Sequence, residues 1–222
     1  MRQIHYVVYS HGFGVRKDDR GLMTDIAAAL PECEHVLFDY NTFDEAANTM
    51  TVSPLNIQVA KLKERLESLG NNPNVIIDLI AHSQGCVVAA LARPNNVRKM
   101  MFLAPPDNMD KEKLIKFFGN RPGSHITLQG ESRIPRRDGT TTVVPLSYWK
   151  SIESLQPIRL YNYLPTYSKV KFYIANDDEV LGASNFDNTN PGIDLIQIAG
   201  NHDFNNGYRK ALVSLISEQI GE

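Results

Sequence analysis

The feature that most constrains this 222-residue chain is a strand, a tight turn and a helix in direct succession over residues 74–91. Residues 75–80 form a mostly apolar run rich in β-branched side chains, which is typical of a buried parallel strand. The turn over residues 81–85 has the sequence A-H-S-Q-G, and an apolar segment of helical character follows at once. Small residues two places before and after a serine permit a turn so tight that its hydroxyl stays exposed at the end of the strand. We therefore predict that Ser83 is a nucleophile at the C-terminal edge of a parallel sheet, in front of a helix N-terminus.

This stretch resembles the nucleophile motif of the serine α/β-hydrolases, in which the common pattern is Gly-x-Ser-x-Gly. Gly85 matches the last position, whereas Ala81 stands where most members of that family have glycine. Alanine is small enough for the turn, so the departure is sterically mild. A serine and a glycine that merely begin a helix are the alternative interpretation of the motif taken alone.

The resemblance extends over nearly the whole chain and implies one α/β-hydrolase domain spanning residues 1–222. The expected fold is a mostly parallel sheet with helices on both faces. Composition fits one soluble globular domain, and a formal charge of −2 argues against an electrostatic nucleic-acid binder. No apolar run approaches the roughly 18 residues that a membrane span needs.

The expected location is cytoplasmic. The first residues lead directly into a β-rich run and lack the pattern of a signal peptide. Two cysteines, Cys33 and Cys86, provide no disulfide framework, and both are expected to be reduced.

A second part of the resemblance follows the first predicted strand, where Ser10 precedes the sequence H-G-F-G over residues 11–14. In the α/β-hydrolases a His-Gly pair at this point begins the oxyanion loop. The resemblance implies that the backbone N–H groups of Phe13 and Gln84 form the oxyanion hole. A glycine-rich turn that serves only backbone freedom is the alternative interpretation.

The general base and the acid are expected after the last two strands, predicted at residues 170–175 and 193–198. His202 lies in the sequence G-N-H-D-F directly after the second of these, which matches the usual histidine loop of the family. The order Ser83, acid, His202 is also the order of that family. The family commonly places the acid three residues after a small residue at the strand end, which favours Asp178, and Asp177 remains the alternative.

Between these landmarks the chain predicts further α/β elements. Asp18 or Asp19 is expected to cap a helix that runs to about Leu30, and residues 35–40 are expected to form the next strand. A helix should begin at Ser53 and Pro54, and its apolar stripe comprises Leu55, Val59, Leu62, Leu66 and Leu69. A strand over residues 97–104 and a C-terminal helix complete the pattern, and the helix has Phe204, Tyr208, Leu212, Leu215 and Gln219 at helical spacing.

The α/β alternation breaks over residues 106–165. A basic helix over residues 111–118 and a hairpin turn over residues 136–139 are predicted there. The resemblance implies that this insertion is a lid over the active site, and additional scaffold is the alternative. Four aromatic residues of the insertion could line a pocket or belong to the core: Tyr148, Trp149, Tyr161 and Tyr163.

The predicted function is hydrolysis of a small-molecule acyl substrate, most simply a carboxylic ester, through an acyl-enzyme on Ser83 with Asp178 and His202. Amide, thioester or C–C hydrolysis by the same triad is one alternative, and a ligand receptor with little turnover is another. His11 and His82 are expected to have structural or hydrogen-bonding roles. No cofactor is predicted, because no metal-site spacing and no nucleotide-binding fingerprint occur.

One further alternative concerns the charged stretch 16–20, which is expected to be a solvated loop. Arg16 or Lys17 in it could instead contact an acidic substrate.

Overall fold

The computed structural model describes residues 3–70, 72–136, 138–205 and 207–221. The strands of these residues are β1 (Ile4–Ser10), β2 (Glu34–Val36), β3 (Thr42–Asp44), β4 (Thr49–Thr51), β5 (Val75–His82), β6 (Lys99–Leu103), β7 (Ser132–Pro135), β8 (Thr141–Val144), β9 (Lys169–Ala175) and β10 (Ile193–Ile198). The helices are α1 (Leu22–Ala28), α2 (Leu55–Ser68), α3 (Gln84–Ala92), α4 (Lys111–Gly119), α5 (Leu146–Ser151), α6 (Pro157–Tyr161) and α7 (Arg209–Gly221), with a 3₁₀ turn at Leu164–Thr166.

Six strands form a central sheet in the order β10-β9-β6-β5-β1-β2, and every pair in it is parallel. The register aligns Ser10 of β1 with Ala81 of β5, and His82 of β5 with Leu103 of β6. Because parallel strands end at the same edge, the loops after β1, β5, β9 and β10 are brought together there. The predicted parallel sheet is therefore confirmed.

Helices cover both faces of this sheet, as predicted. The alternation along β1 explains why both faces are apolar: Val7 and Tyr9 belong to the cluster beneath α1 and α7, whereas Val8 belongs to the cluster beneath α2 and α3. Strands that are buried on both faces need apolar residues at every position. Among the described residues, no helix combines the length and the apolarity that crossing a membrane would require.

Two predicted elements differ in extent. β2 ends at Val36, and the predicted continuation to residue 40 is wrong, because the chain turns away to make other bonds. The backbone N–H of Tyr40 donates to His11 Nε2, and Asp39 accepts the N–H of Lys17. The C-terminal helix begins at Arg209, so Phe204 and Tyr208 precede it. It buries Leu212 of the predicted stripe, but Ile216 and Ile220 are buried in place of Leu215 and Gln219.

The cap predicted for α1 is also wrong. Its N-cap is Gly21, in the left-handed region with φ 86°, and no side chain caps the helix. Asp18 and Asp19 accept from the first turn only through their backbone carbonyls. The Asp19 carboxylate is turned instead towards the edge of the sheet where the loops meet.

A second sheet, in the order β3-β4-β8-β7, joins the insertion to the hairpin of residues 42–51. The predicted hairpin is present, since β7 and β8 pair antiparallel, although Arg137 in its turn lies outside the described residues. β8 also pairs in parallel with β4. The sequence analysis did not predict β3 or β4, and their pairing fixes this part of the insertion to the rest of the fold.

The aromatic residues of the insertion divide between core and surface. Tyr148, Trp149 and Tyr161 are buried in the core cluster, whereas Tyr163 is 52% exposed.

Gly85 is essential for seating α3 against β1. A Cβ at this position would lie 2.1 Å from the carbonyl oxygen of Ser10, which is a backbone atom and cannot move aside alone. We expect Gly85→Ala to lower the free energy of unfolding by about 3 kcal/mol or more, as measured by urea denaturation. Gly119→Ala is the control, because its Cβ would meet Ile126 only at an ordinary 3.9 Å. Equal unfolding midpoints for the two variants would contradict this packing account.

Candidate active site

Ser83 lies in the turn between β5 and α3 with φ 52° and ψ −124°, a conformation that L-residues rarely adopt. The turn is held from both sides. The Ser83 N–H donates to the Leu103 carbonyl at 2.9 Å, and the Ser10 hydroxyl donates to the Gly85 carbonyl at 2.9 Å. Such strained backbone persists only where its surroundings determine it. The result is a hydroxyl directed out of the turn, with its Oγ 2.9 Å from Nε2 of His202.

His202 connects Ser83 to a carboxylate. Its Nδ1 is 2.8 Å from Oδ2 of Asp178, and a carboxylate at Nδ1 makes this nitrogen the donor. Nε2 is then free to accept the Ser83 proton. Asp177, the alternative acid, is exposed, and its backbone N–H donates to the Gly200 carbonyl. The structure therefore brings Ser83, His202 and Asp178 into one hydrogen-bonded row and leaves Asp177 outside it.

The Asp178 carboxylate is buried and well supplied with donors. Its Oδ1 accepts the backbone N–H groups of Val180 at 2.9 Å and Leu181 at 2.7 Å. Burial alone would raise the pKa of Asp178, but the hydrogen bond and the charge of His202, together with these N–H groups, lower that pKa below its usual value. Asp178 is therefore held as a carboxylate beside His202.

The loop after β1 lies directly against Ser83, since a Cβ on Gly12 would be 3.4 Å from the Ser83 Cβ. The backbone N–H groups of Phe13 and Gln84 donate to no acceptor in the described ranges. Two such unpaired donors beside a nucleophile are what an oxyanion hole requires. The oxyanion role of Phe13 and Gln84 therefore stays a prediction.

The side chain of Gln84 is fixed by a row of polar groups that sequence analysis missed. Tyr148 donates to Gln84 Oε1 at 2.5 Å, and Gln84 Nε2 donates to Gln58 Oε1 at 2.8 Å. Gln58 in turn donates to the Ser53 carbonyl. Gln58 is buried at helical spacing among the leucines of α2, and a polar residue in that stripe was the available signal.

A second carboxylate–imidazole pair lies behind the row and was also missed. Oδ2 of the buried Asp19 accepts the N–H of Gly12 at 2.8 Å and faces Nδ1 of His82 at 2.8 Å. Nε2 of His82 is 2.9 Å from the carbonyl oxygen of His202. Because both partners of His82 are acceptors, both ring nitrogens carry hydrogens and the ring is an imidazolium. Asp19 therefore ties together the loops that carry Phe13, Ser83 and His202.

The charges of this pair follow from its surroundings. Burial alone would lower the pKa of His82, but the charge and hydrogen bond of Asp19 raise it above its usual value. Burial would likewise raise the pKa of Asp19, but His82 lowers it strongly. His11 differs, because burial lowers its pKa, its Nδ1 donates to the Gly12 carbonyl and its Nε2 accepts from Tyr40. His11 is therefore neutral, and both histidines have the hydrogen-bonding roles that were predicted for them.

A single group in the described part of the chain has side chains close enough to share a metal ion, with ligand atoms within 4.8 Å of one another: His82, His202 and Asp203. All four ring nitrogens of its two histidines already have partners, and Asp203 pairs with Arg20. An ion there would have to replace these contacts, so the group does not fit a metal site.

No protein-family model matches the sequence, and no curated protein matches it. Solved structures match the fold over almost its full length. Alpha/beta hydrolase GrgF from Penicillium sp. sh18 is 14% identical with a TM-score of 0.67, covering 98% of this chain and 90% of its own. Est1E from Butyrivibrio proteoclasticus is 16% identical with a TM-score of 0.64, covering 100% and 90%. A monoacylglycerol lipase of Paleococcus ferrophilus is 13% identical with a TM-score of 0.64, covering 99% and 96%.

These likenesses establish the architecture of the chain. The predicted α/β-hydrolase fold is confirmed, and the order of the strands places the loops of the candidate site at the edge where this fold is expected to have them.

We expect Asp19→Asn to lower stability markedly. Removing one charge of a buried pair costs roughly 3–5 kcal/mol, because the remaining imidazolium is left uncompensated. The matched control is Asp18→Asn, since the adjacent carboxylate makes no side-chain hydrogen bond within the described ranges. Thermal unfolding at neutral pH should separate the two variants, and equal melting temperatures would show that the pair contributes little.

The same variant has an expected pH dependence. Because the pKa of His82 is raised in the folded protein, the Asp19–His82 pair stabilises the fold fully at pH values below the ordinary histidine pKa of about 6.5. This stabilisation is lost as the pH rises through the pKa of His82 in the folded protein. The difference in melting temperature between the wild type and Asp19→Asn should therefore shrink at alkaline pH. A difference that grows with pH would contradict a charged His82.

Proposed function

We propose that this chain, which has the α/β-hydrolase fold, is a serine hydrolase that cleaves carboxylic esters through an acyl-enzyme on Ser83. The observation that carries the proposal is the row Asp178–His202–Ser83, with 2.8 Å and 2.9 Å between successive polar atoms. This row ends at a strained turn beside two unpaired backbone N–H groups. Nucleophile, base and orienting acid within hydrogen-bond reach are the arrangement that acyl transfer needs.

In the first half of the reaction Oγ of Ser83 attacks the ester carbonyl carbon while Nε2 of His202 takes the hydroxyl proton. The carbonyl π pair moves onto oxygen, and the N–H groups of Phe13 and Gln84 stabilise that negative charge. Collapse of the tetrahedral intermediate breaks the bond to the alcohol oxygen, which receives the proton from His202. Asp178 keeps the Nδ1 hydrogen in place and stabilises the imidazolium.

In the second half a water molecule takes the place of the alcohol. His202 accepts one of its protons as it attacks the acyl carbon. Collapse of the second tetrahedral intermediate breaks the bond to Oγ of Ser83, which receives that proton from His202. The products are a carboxylic acid, an alcohol and the free enzyme, and no redox partner or cofactor enters the balance.

An ester is the proposed substrate class because one structure with this fold is named a monoacylglycerol lipase and another is named an esterase domain. Amide, thioester and C–C bonds could be cleaved by the same groups, and rates on matched substrates would separate them.

We also propose that residues 106–165 select the substrate. Phe118 of α4 and Tyr148 of α5 each lie 5.1 Å from the Phe13 ring, centroid to centroid, so the insertion contacts the proposed oxyanion loop. The pairing of β8 with β4 would hold one part of it in place.

The roles of the two aspartates give a direct test. Asp178→Asn should remain folded and lose about 10⁴ in kcat towards p-nitrophenyl acetate, because an amide allows the wrong imidazole tautomer. Asp177→Asn changes the neighbouring, exposed carboxylate in the same way and should keep nearly wild-type activity. A large loss in Asp177→Asn alone would transfer the role to that residue. Mild effects in both variants would leave the proposal without its acid.

A further inference from the structure

Arg136 occupies an unusual position at the border of the candidate site. It follows β7 directly, and its guanidinium carbon lies 5.7 Å from the centroid of the Phe13 ring and 5.6 Å from that of Phe118. Its Nε donates to Oγ1 of Thr142 at 2.7 Å, which fixes the plane of the guanidinium. The side chain is thus held by one hydrogen bond and two aromatic contacts.

No carboxylate pairs with this cation among the residues that the structure describes. Other arginines of the chain do have such partners, as Arg20 has in Asp203 and Arg133 in Glu131. Asp138, two residues away, uses its Oδ1 for Thr140 instead. Arg136 therefore differs from these arginines in making no ion pair with a carboxylate within the described ranges.

Its two terminal nitrogens have different surroundings. Nη2 is shielded from solvent and has no hydrogen-bond partner, and it lies 2.4 Å from the place of a Cβ on Gly14. Nη1 also makes no hydrogen bond within the described ranges, but it is not sealed from solvent. Nη1 is therefore the terminal nitrogen that is left for a ligand.

Burying the positive charge of Arg136 costs free energy. Burial, with further contributions from Arg20 and Arg121, lowers the pKa of Arg136 to about 9 against smaller opposing effects of Asp138 and Asp203, so the group is still a cation at neutral pH. A contact with an aromatic face compensates a buried cation only in part, and a buried charge is ordinarily paired. The pairing that this chain does not supply can come from a ligand.

The charge is also close to the proposed chemistry. Gly14, which Nη2 touches, is one residue from Phe13 and two from Gly12, which in turn lies against Ser83. On the other side, Arg20 pairs with Asp203, the residue after His202. Cationic side chains therefore border the proposed oxyanion loop and the histidine loop.

We propose that Arg136 is a specificity residue that binds a carboxylate or phosphate group of the ester substrate. The inference rests on the proposed esterase function and names its substrate class: an ester whose acid or alcohol part bears an anionic group. The unpaired Nη1 of the guanidinium offers N–H donors suited to either oxyanion. The aromatic rings of Phe13 and Phe118 hold it in place before the substrate arrives.

The test compares matched esters. The acyl side is tested with p-nitrophenyl acetate against the p-nitrophenyl monoester of succinic acid, and the alcohol side with phenyl acetate against 4-acetoxybenzoate. Wild type should prefer the anionic member of at least one pair. In Arg136→Gln, kcat/KM for that ester should fall roughly tenfold to a hundredfold, mainly through KM, because a charge-assisted hydrogen bond is lost. Activity on its neutral partner should change by less than about threefold, and Arg136→Lys should retain part of the preference.

Arg133→Gln is the matched control, because this arginine belongs to the same hairpin but is exposed and pairs with Glu131. Equal losses on neutral and anionic esters in Arg136→Gln, or no preference in the wild type, would overturn the proposal.

If the wild type cleaves no ester at all, the proposed function fails. The anion site at Arg136 is then tested by measuring thermal shifts with succinate and inorganic phosphate. Stabilisation of the wild type by either anion, lost in Arg136→Gln but not in Arg133→Gln, would support the anion site by itself. No such stabilisation would reject it.

Discussion

The candidate site depends on one buried carboxylate more than on any other group. Asp19 accepts a backbone N–H from the loop after β1 and holds His82 at the nucleophile turn, and His82 binds the backbone of His202. Asp19 Oδ2 thereby joins the loop after β1 to His82 at the end of β5, and the other ring nitrogen of His82 connects both to the His202 loop. The low polarity of the surroundings strengthens each of these bonds and makes any unpaired member costly. Asp178 orients the imidazole of His202, whereas Asp19 sets the distances between the loops.

The sequence predicted those parts of the molecule that short, contiguous sequence patterns determine. The apolar strand before Ser83, the small residues around it and the aligned ends of parallel strands define where Ser83, Asp178 and His202 can meet. Gln84 and Phe13 follow from their places in the chain next to those features. The choice of Asp178 over Asp177 as the acid depended on counting residues from the end of β9. The count was possible because the observed strand, Lys169–Ala175, matches the predicted one closely.

The parts that could not be predicted are those decided by distant partners. Asp19 precedes a helix and has the usual character of a cap, but a buried imidazole 63 residues away takes its carboxylate. Strands β3 and β4 are three residues each, too short for a periodic pattern, and β4 gains a parallel partner only from the insertion at β8. Arg136 resembles an ordinary polar hairpin residue in the sequence, and its lack of a carboxylate emerges only from the packing of Phe13 and Phe118 around it.

The central claim of this account is that Ser83 is the nucleophile. Intact-protein and peptide mass spectrometry after treatment with an active-site fluorophosphonate tests it most directly. We expect a single stoichiometric adduct on Ser83, with no adduct in Ser83→Ala and slower labelling in Asp178→Asn. An adduct of equal extent in Ser83→Ala, or a wild-type protein that resists the reagent while folded, would contradict it.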